Sequence, residues 1–198
     1  AASRIRTLLS RRAEWIVRKQ DQARAARPPV HEYVSGETFS YLGRHYRLHI
    51  RPIQGIRRSR VRLVGRHLEV SLPRTLARRR SAIRQALLAW YKVRAAKKIS
   101  ERMQLIAVKT GASRSVTIRI RNQSRRWGSC AATGVLYFNW RIIMAPLSLV
   151  DYVLAHEWTH LQHRNHSADY WAAVRSLLPD YELRRSHLLA LGASYDLP

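Results

Sequence analysis

The stretch His156-Glu157-Trp158-Thr159-His160 decides how the rest of the chain is interpreted. It follows the pattern H-E-x-x-H within a segment predicted to be helical from Pro146 onward. Residues four apart share one face of a helix, so both imidazoles can point at one ion. The glutamate, turned by about 100°, can reach a water beside that ion. The pattern therefore predicts a metal site with Glu157 as the general base.

A third metal ligand is expected from the segment that follows the helix. A catalytic zinc site uses three protein ligands and leaves a fourth position to water. His166, six residues after His160, is the residue that a returning chain can offer. His163 is a weaker candidate, because three ligands already complete such a site. We expect zinc held by His156, His160 and His166; a solvated histidine-rich helix face is the alternative.

The segments on either side of the motif predict a sheet next to this helix and further helices after it. Strands are expected at residues 116–120, 125–130 and 135–140, the last two joined by a turn, and helices near residues 167–178 and 180–192. Ser167 is the expected cap of the first of these helices. Gly128 and Cys130 are interpreted as a packing device beside the motif helix, since no base is placed to activate Cys130.

The first half of the chain predicts a separate, arginine-rich unit. An amphipathic helix is expected at residues 3–26, then alternating segments at residues 37–51 and 61–72 that form a small antiparallel sheet, then a long helix over residues 78–110. We therefore predict two domains, residues 1–75 with the helix and the arginine-rich β lobe, and residues 76–198 with the metal site.

Charge and cysteine content limit the functional classes. The formal net charge is +25, and residues 1–100 hold 25 of the 37 basic groups but 5 of the 12 acidic ones. A field of this sign favours a polyanion such as nucleic acid, although arginine-rich codon usage explains the bias equally well. Cys130 is the only cysteine, so a cysteine-based zinc ribbon is excluded. No apolar run approaches the about 20 residues that span a bilayer, and a cytoplasmic protein is expected.

Several short motifs in the second half carry a family resemblance. They are Arg125 to Cys130, Phe138-Asn139-Trp140-Arg141, Ala145-Pro146, Asp151-Tyr152-Val153, the H-E-x-x-H stretch, Asn165-His166-Ser167, Tyr170-Trp171 and Pro179-Asp180-Tyr181. In order and spacing the chain resembles the YgjP-like family of metal-dependent hydrolases, which is related to the SprT-like and WLM metallopeptidases.

The resemblance implies an α+β fold, with a gluzincin-like zincin core in which the H-E-x-x-H helix lies beside an antiparallel sheet. It implies His156, His160 and His166 as metal ligands and Glu157 as the catalytic residue of a zinc metallopeptidase. A bound peptide would pair with the edge of the strand at residues 135–140 or of its partner. Trp158 is expected to shape the substrate cleft. Two further residues, Tyr170 and Arg141, are candidates for stabilising the oxyanion, with core or surface roles as the alternative.

Two other functions stay open at this point. Some members of the family are described as nucleotide (UTP) pyrophosphatases, and an arginine-rich lobe suits phosphates, although phosphoryl transfer generally uses magnesium held by carboxylates. The other is a nucleic-acid-binding module, either with an idle zinc site or as a protease directed to DNA-bound protein.

Overall fold

The computed structural model describes residue 13 and residues 30–75, 78–112 and 116–197. The helix predicted at residues 3–26 therefore lies outside the described residues, residue 13 excepted. None of the described helices combines the length and the hydrophobicity that crossing a bilayer requires. The elements are β1 (Thr38–Tyr41), β2 (Arg44–Ile53), β3 (Arg60–Val64), β4 (His67–Pro73), α1 (Arg79–Lys109), β5 (Ile118–Arg121), β6 (Gly128–Cys130), β7 (Leu136–Asn139), a 3-10 helix (Trp140–Met144), α2 (Leu147–Thr159), α3 (Ala168–Leu177), α4 (Tyr181–Leu191) and a short 3-10 turn (Gly192–Ser194).

The first sheet contains the two predicted hairpins, but its centre is parallel. The strand order is β1-β2-β4-β3, with β2 and β4 running in the same direction. An antiparallel lobe was the sequence-based expectation, and for this central pair it is wrong. The reason is burial: Leu68, Val70 and Leu72 of β4 are fully buried, so β4 takes an interior position and its hairpin partner β3 takes the edge.

The turn between β1 and β2 attaches this sheet to the second half of the chain. Leu42 and Gly43 both have positive φ, 49° and 73°, as a tight two-residue hairpin turn requires. Their backbone N–H groups donate to the carbonyls of Ile143 and Met144 at 2.8 and 3.2 Å. The tip of the hairpin is thus hydrogen-bonded to the 3-10 helix that precedes α2.

Helix α1 lies between the two halves. Its buried side carries Ile83, Leu87, Trp90, Tyr91, Ala95, Ile99 and Met103. Leu88 and Ile106 of the same helix are only partly buried. The helix contacts β3, β4, β5, the 3-10 helix and α2, and one hydrophobic cluster continues through both halves. The mixed α+β class is as expected, whereas the division into residues 1–75 and 76–198 stays a prediction.

The second sheet provides the edge that faces the metal-site helix. Its order is β5-β7-β6, so β7 has a neighbour on each side. The strand expected at residues 135–140 is thus the central one. In the described part of the chain, its antiparallel partner β6 is the strand with a free edge next to α2.

We expect Gly43→Ala to destabilise the fold more than Gly65→Ala. Both glycines have positive φ, but a Cβ on Gly43 would lie 2.8 Å from the Cα of Pro146, whereas one on Gly65 would meet nothing within 4 Å. The backbone strain of about 1–3 kcal/mol is common to both variants. The added steric conflict should cost Gly43→Ala about 1–3 kcal/mol more. Urea unfolding of both variants measures this difference, and equal losses would contradict the docking of the hairpin tip.

Candidate metal centre

Helix α2 carries the motif through the interior of the protein. Pro146 precedes it as the N-cap residue, and nine of its thirteen residues are buried. Near its start, Asp151 accepts two hydrogen bonds from the guanidinium of Arg102 in α1, at 2.7 and 2.6 Å. Near its end, Tyr170 donates from its hydroxyl to the carbonyl of His156 at 3.0 Å. These polar contacts at both ends hold the helix in one position.

The three expected ligands come together. One ring nitrogen from each of His156, His160 and His166 lies within 4.8 Å of the other two. The Nε2 atoms of His156 and His166 are 3.3 Å apart. A tetrahedral ion with Zn–N bonds of about 2.0–2.1 Å holds two ligand nitrogens about 3.3–3.4 Å apart, so this spacing fits such an ion. Burial, aided by the other two rings, lowers the pKa of His156 to about 4, which leaves its lone pair available near neutral pH.

His163 acts on this cluster through its backbone. Its carbonyl oxygen lies 2.9 Å from Nδ1 of His160, so that nitrogen donates and the lone pair is left on Nε2. Its ring is outside the three-histidine cluster. The Nδ1 atom of His156 is buried and has no hydrogen-bond partner among the residues described. The outer support of the site is therefore stronger at His160 than at His156.

The loop that returns His166 to the helix is fixed at both of its ends. The Arg164 guanidinium donates to the carbonyls of Ala131 and Ala132, each at 3.1 Å, which attaches the loop to the turn between β6 and β7. The Ser167 hydroxyl then caps α3 by accepting from the N–H of Tyr170 at 3.3 Å. The expected cap is thus confirmed, and it begins α3 immediately after the third histidine.

Both residues considered for oxyanion stabilisation are engaged elsewhere. Tyr170 is fully buried behind the three imidazoles, with ring centroids 4.6–5.4 Å from theirs, and its hydroxyl is bonded to the helix backbone. Arg141 forms an ion pair with Asp196 and a hydrogen bond with Asn122. The structure thus favours the alternative, in which one residue supports the site from the core and the other ties down the C-terminal segment.

Glu157 is a buried carboxyl group without a salt bridge. Its side chain is 5% exposed, and within the described residues it forms no hydrogen bond or ion pair. Burial raises the pKa of Glu157 to about 7, and the charge of Arg126 only partly opposes this rise. Such a group can exchange a proton near neutral pH.

Gly128 is a residue of this site whose role the sequence indicated only in general terms. A Cβ at this position would lie 2.6 Å from Cγ of Glu157 and 2.8 Å from its Oε1. Glu157 thus occupies the volume that any other side chain at position 128 would fill. The packing of a glycine beside the motif helix was expected, but the glutamate as its contact was not.

A cavity of about 260 Å³ opens beside the metal cluster, with His156 and Glu157 in its wall. Trp158, which was expected to shape the cleft, is absent from that wall. It is buried and lines a different, larger cavity of about 770 Å³ between α2 and the end of α1. The side chain of Trp158 therefore faces a separate cavity from the one that adjoins His156 and Glu157.

Comparison with known proteins gives a family and distant structural likenesses. Among solved structures, the chain is similar to the metallopeptidase zymogen abylysin of Pyrococcus abyssi, with 19% identity, a TM-score of 0.44, and coverage of 48% of this chain and 97% of that chain. It is also similar to the zymogen jannalysin of Methanocaldococcus jannaschii, with 19% identity, a TM-score of 0.39, and coverage of 46% and 96%. No curated protein matches.

The family result covers nearly the whole chain. The model described as "YgjP-like, metallopeptidase domain" matches residues 1–190. A metallopeptidase needs a metal, and three histidines of this chain are arranged to hold one. The chain therefore belongs to the YgjP-like family of metallopeptidase domains.

Proposed function

We propose that the protein is a zinc-dependent peptidase in which His156, His160 and His166 hold the metal and Glu157 is the general base. The observation that carries this proposal is the convergence of three imidazole nitrogens within 4.8 Å beside a buried carboxyl group.

The chemistry divides between the metal and the protein. Zinc bound at such a site polarises a carbonyl and lowers the pKa of water toward 7. Glu157 accepts the proton of the attacking water and returns it to the leaving amine, for which its pKa of about 7 is well suited. The buried Tyr170 backs the imidazoles and keeps solvent from that side of the site.

The edge of β6 is the proposed guide for an extended peptide. The carbonyl of Trp127 accepts a hydrogen bond from the N–H of Asn139, and the N–H of Ala131 donates to the carbonyl of Val135. Trp127 and Ala131, on either side of β6, therefore direct these backbone groups toward β7 and its flanking residues. The register then directs the backbone groups of Gly128 and Cys130 away from β7. A substrate strand paired there would run beside Glu157, with main-chain hydrogen bonds that are independent of its sequence.

Glu157→Gln should separate metal binding from turnover. We expect the variant to retain one zinc per chain but to hydrolyse an unfolded protein about 10²–10⁴-fold more slowly, because the base is lost and the ligands are not. His166→Ala should instead lose the zinc, while His163→Ala, which removes a ring outside the cluster, should keep it. Metal analysis and initial rates on the same samples measure both effects.

The same preparations distinguish the alternative enzyme. If UTP is cleaved by the wild-type chain and not by Glu157→Gln, while no polypeptide is cleaved, the nucleotide pyrophosphatase replaces the peptidase. Full peptidase activity in Glu157→Gln would exclude the proposed mechanism.

Gly128→Ala should disable the site by displacing the base. The new methyl group would fall within 2.6–2.9 Å of three Glu157 atoms, so the carboxyl group must move. A displacement of about 1 Å in a catalytic group costs on the order of 10²-fold in rate, and we expect a loss of that size with zinc content unchanged. Ser129→Ala, one residue along the same strand, is the matched control. Wild-type rates in Gly128→Ala would show that this contact does not position Glu157.

We also propose that the first sheet binds nucleic acid, which would direct the peptidase to protein on DNA. The specific observation is its outer face. Arg47 on β2 and Arg60 and Arg62 on β3, the two strands on either side of β4, are exposed. Glu69 of β4, the acidic residue in the strands of this sheet, is paired with Arg51. Such a surface contacts phosphates without reading sequence.

The triple variant Arg47→Gln, Arg60→Gln, Arg62→Gln should weaken DNA binding and its dependence on salt. Each lost phosphate contact lowers the slope of log K against log salt by about 1, so the slope should fall by up to about 3 between 50 and 200 mM salt. A second triple variant, Arg119→Gln, Arg125→Gln, Arg175→Gln, has the same net charge and should bind as the wild type. Fluorescence anisotropy with a random duplex measures both slopes, and equal effects of the two variants would contradict a specific face.

A further inference from the structure

We propose that the cavity beside His156 and Glu157 binds a substrate carboxylate through Arg126 and Arg185. On this proposal, which rests on the peptidase function, preferred substrates carry an acidic side chain or a free C-terminus next to the bond that is cleaved.

The cavity is a small site that adjoins the reacting groups. Its volume of about 260 Å³ suits one side chain or one terminal residue rather than a folded domain. Besides His156 and Glu157, its wall consists mostly of apolar and aromatic side chains. Two arginines, Arg126 and Arg185, also line it. The lining residues other than these are Trp127, Gly128, Tyr152, Val153, Leu188 and Leu189. A mostly apolar wall with few polar groups is typical of a specificity pocket.

The two arginines come from separate parts of the fold. Arg126 lies two residues before β6, and Arg185 lies on α4. Both are exposed, and neither side chain forms a hydrogen bond or ion pair with any residue that the structure describes. Unpaired arginines are common in a chain with 37 basic and 12 acidic residues, so it is their shared position at this cavity that carries the inference.

The environment of Arg185 supports a role in binding. Its guanidinium lies over the ring of Trp171 at 5.3 Å, and that ring in turn stacks on His166 and on Tyr181, with centroids 5.5 and 5.3 Å apart. Stacking holds a guanidinium in place through its face and leaves its N–H groups free for a planar, bidentate partner. A carboxylate has that geometry.

Both charges act on the wall of the cavity. Burial raises the pKa of Tyr152 to about 12, and the Arg185 guanidinium opposes this rise. Arg126 has the corresponding effect on Glu157. Among the residues that line the cavity, Glu157 is the one acidic residue that a substrate carboxylate bound between the two guanidinium groups would meet, and it is mostly buried.

Matched peptides test the subsite. The set has one sequence with Glu, Gln or Lys at each position that flanks the cleavage site, and each peptide is made with a free and an amidated C-terminus. We expect kcat/KM of the zinc-loaded wild-type chain to be about 10- to 100-fold higher for the carboxylate-bearing peptide than for its neutral match, the range that charge-assisted hydrogen bonds provide. If amidation of the C-terminus removes the preference, the group that the cavity binds is the terminal carboxylate. If the preference persists after amidation, that group is the acidic side chain.

Variants are compared by the ratio of kcat/KM for the acidic peptide to kcat/KM for the neutral peptide. A general loss of activity lowers both values equally and leaves this ratio unchanged. Arg126→Ala and Arg185→Ala should each bring the ratio toward one, and Arg185→Glu should favour the Lys peptide. Arg125→Ala, next in the chain to Arg126, and Arg175→Ala, whose side chain lies over Tyr181 much as Arg185 lies over Trp171, should keep the wild-type ratio. A wild-type ratio near one, or a ratio unchanged in both test variants, overturns the subsite.

Binding to the zinc-loaded Glu157→Gln variant separates this proposal from the peptidase function. If the acidic peptide binds more tightly than the neutral one and the preference needs Arg126 and Arg185, the subsite stands even where no peptide is cleaved. Cleavage without such a preference supports the peptidase and overturns the subsite. Absence of both cleavage and selective binding overturns both.

Discussion

The pKa of a carboxyl group rises toward 7 when the group is removed from water without gaining a salt bridge. The close contact between Gly128 and Glu157 places the Glu157 carboxyl group in such a position. The edge strand comes so close to α2 that the glutamate fills the space where a side chain would be. Burying an ionisable group without a partner is unfavourable, and here this raises its pKa to about 7. The cost is offset by the extensive apolar packing of the same helix.

This arrangement depends on how α2 is rotated about its axis, and apolar packing alone does not determine that rotation. The helix is buried on most sides, so several rotations would bury similar areas. Polar contacts select one of them, with Arg102 holding Asp151 and the Tyr170 hydroxyl bonded to the carbonyl of His156. The first contact reaches back to α1 and the second forward to α3. The positions of His156 and Glu157 therefore depend on contacts with both α1 and α3.

The features that the sequence predicted are those in which local spacing carries the information. Four-residue spacing put His156 and His160 on one face, and the cap at Ser167 began the next helix where expected. The parallel pairing of β2 with β4 was not predictable in this way, because it depends on which strand is most buried. The expectation for Trp158 came from the family resemblance, which does not indicate which of two cavities the side chain lines. Arg126 lies in one of the motifs that carry the resemblance, and Arg185 in none of them. Their shared cavity, which the sequence does not reveal, distinguishes the two from the other basic residues of the chain.

Positive charge acts in this protein on two length scales. The net charge of +25 attracts any acidic polypeptide or nucleic acid from a distance, and salt screens that attraction beyond about 8 Å at physiological ionic strength. Guanidinium groups at a partly enclosed cavity act at contact distance, where screening is weaker. The long-range field therefore raises the encounter rate of all acidic partners, whereas Arg126 and Arg185 would discriminate among those already bound. A substrate preference that persists at high salt belongs to the cavity, and the part that salt removes belongs to the arginine-rich surface as a whole.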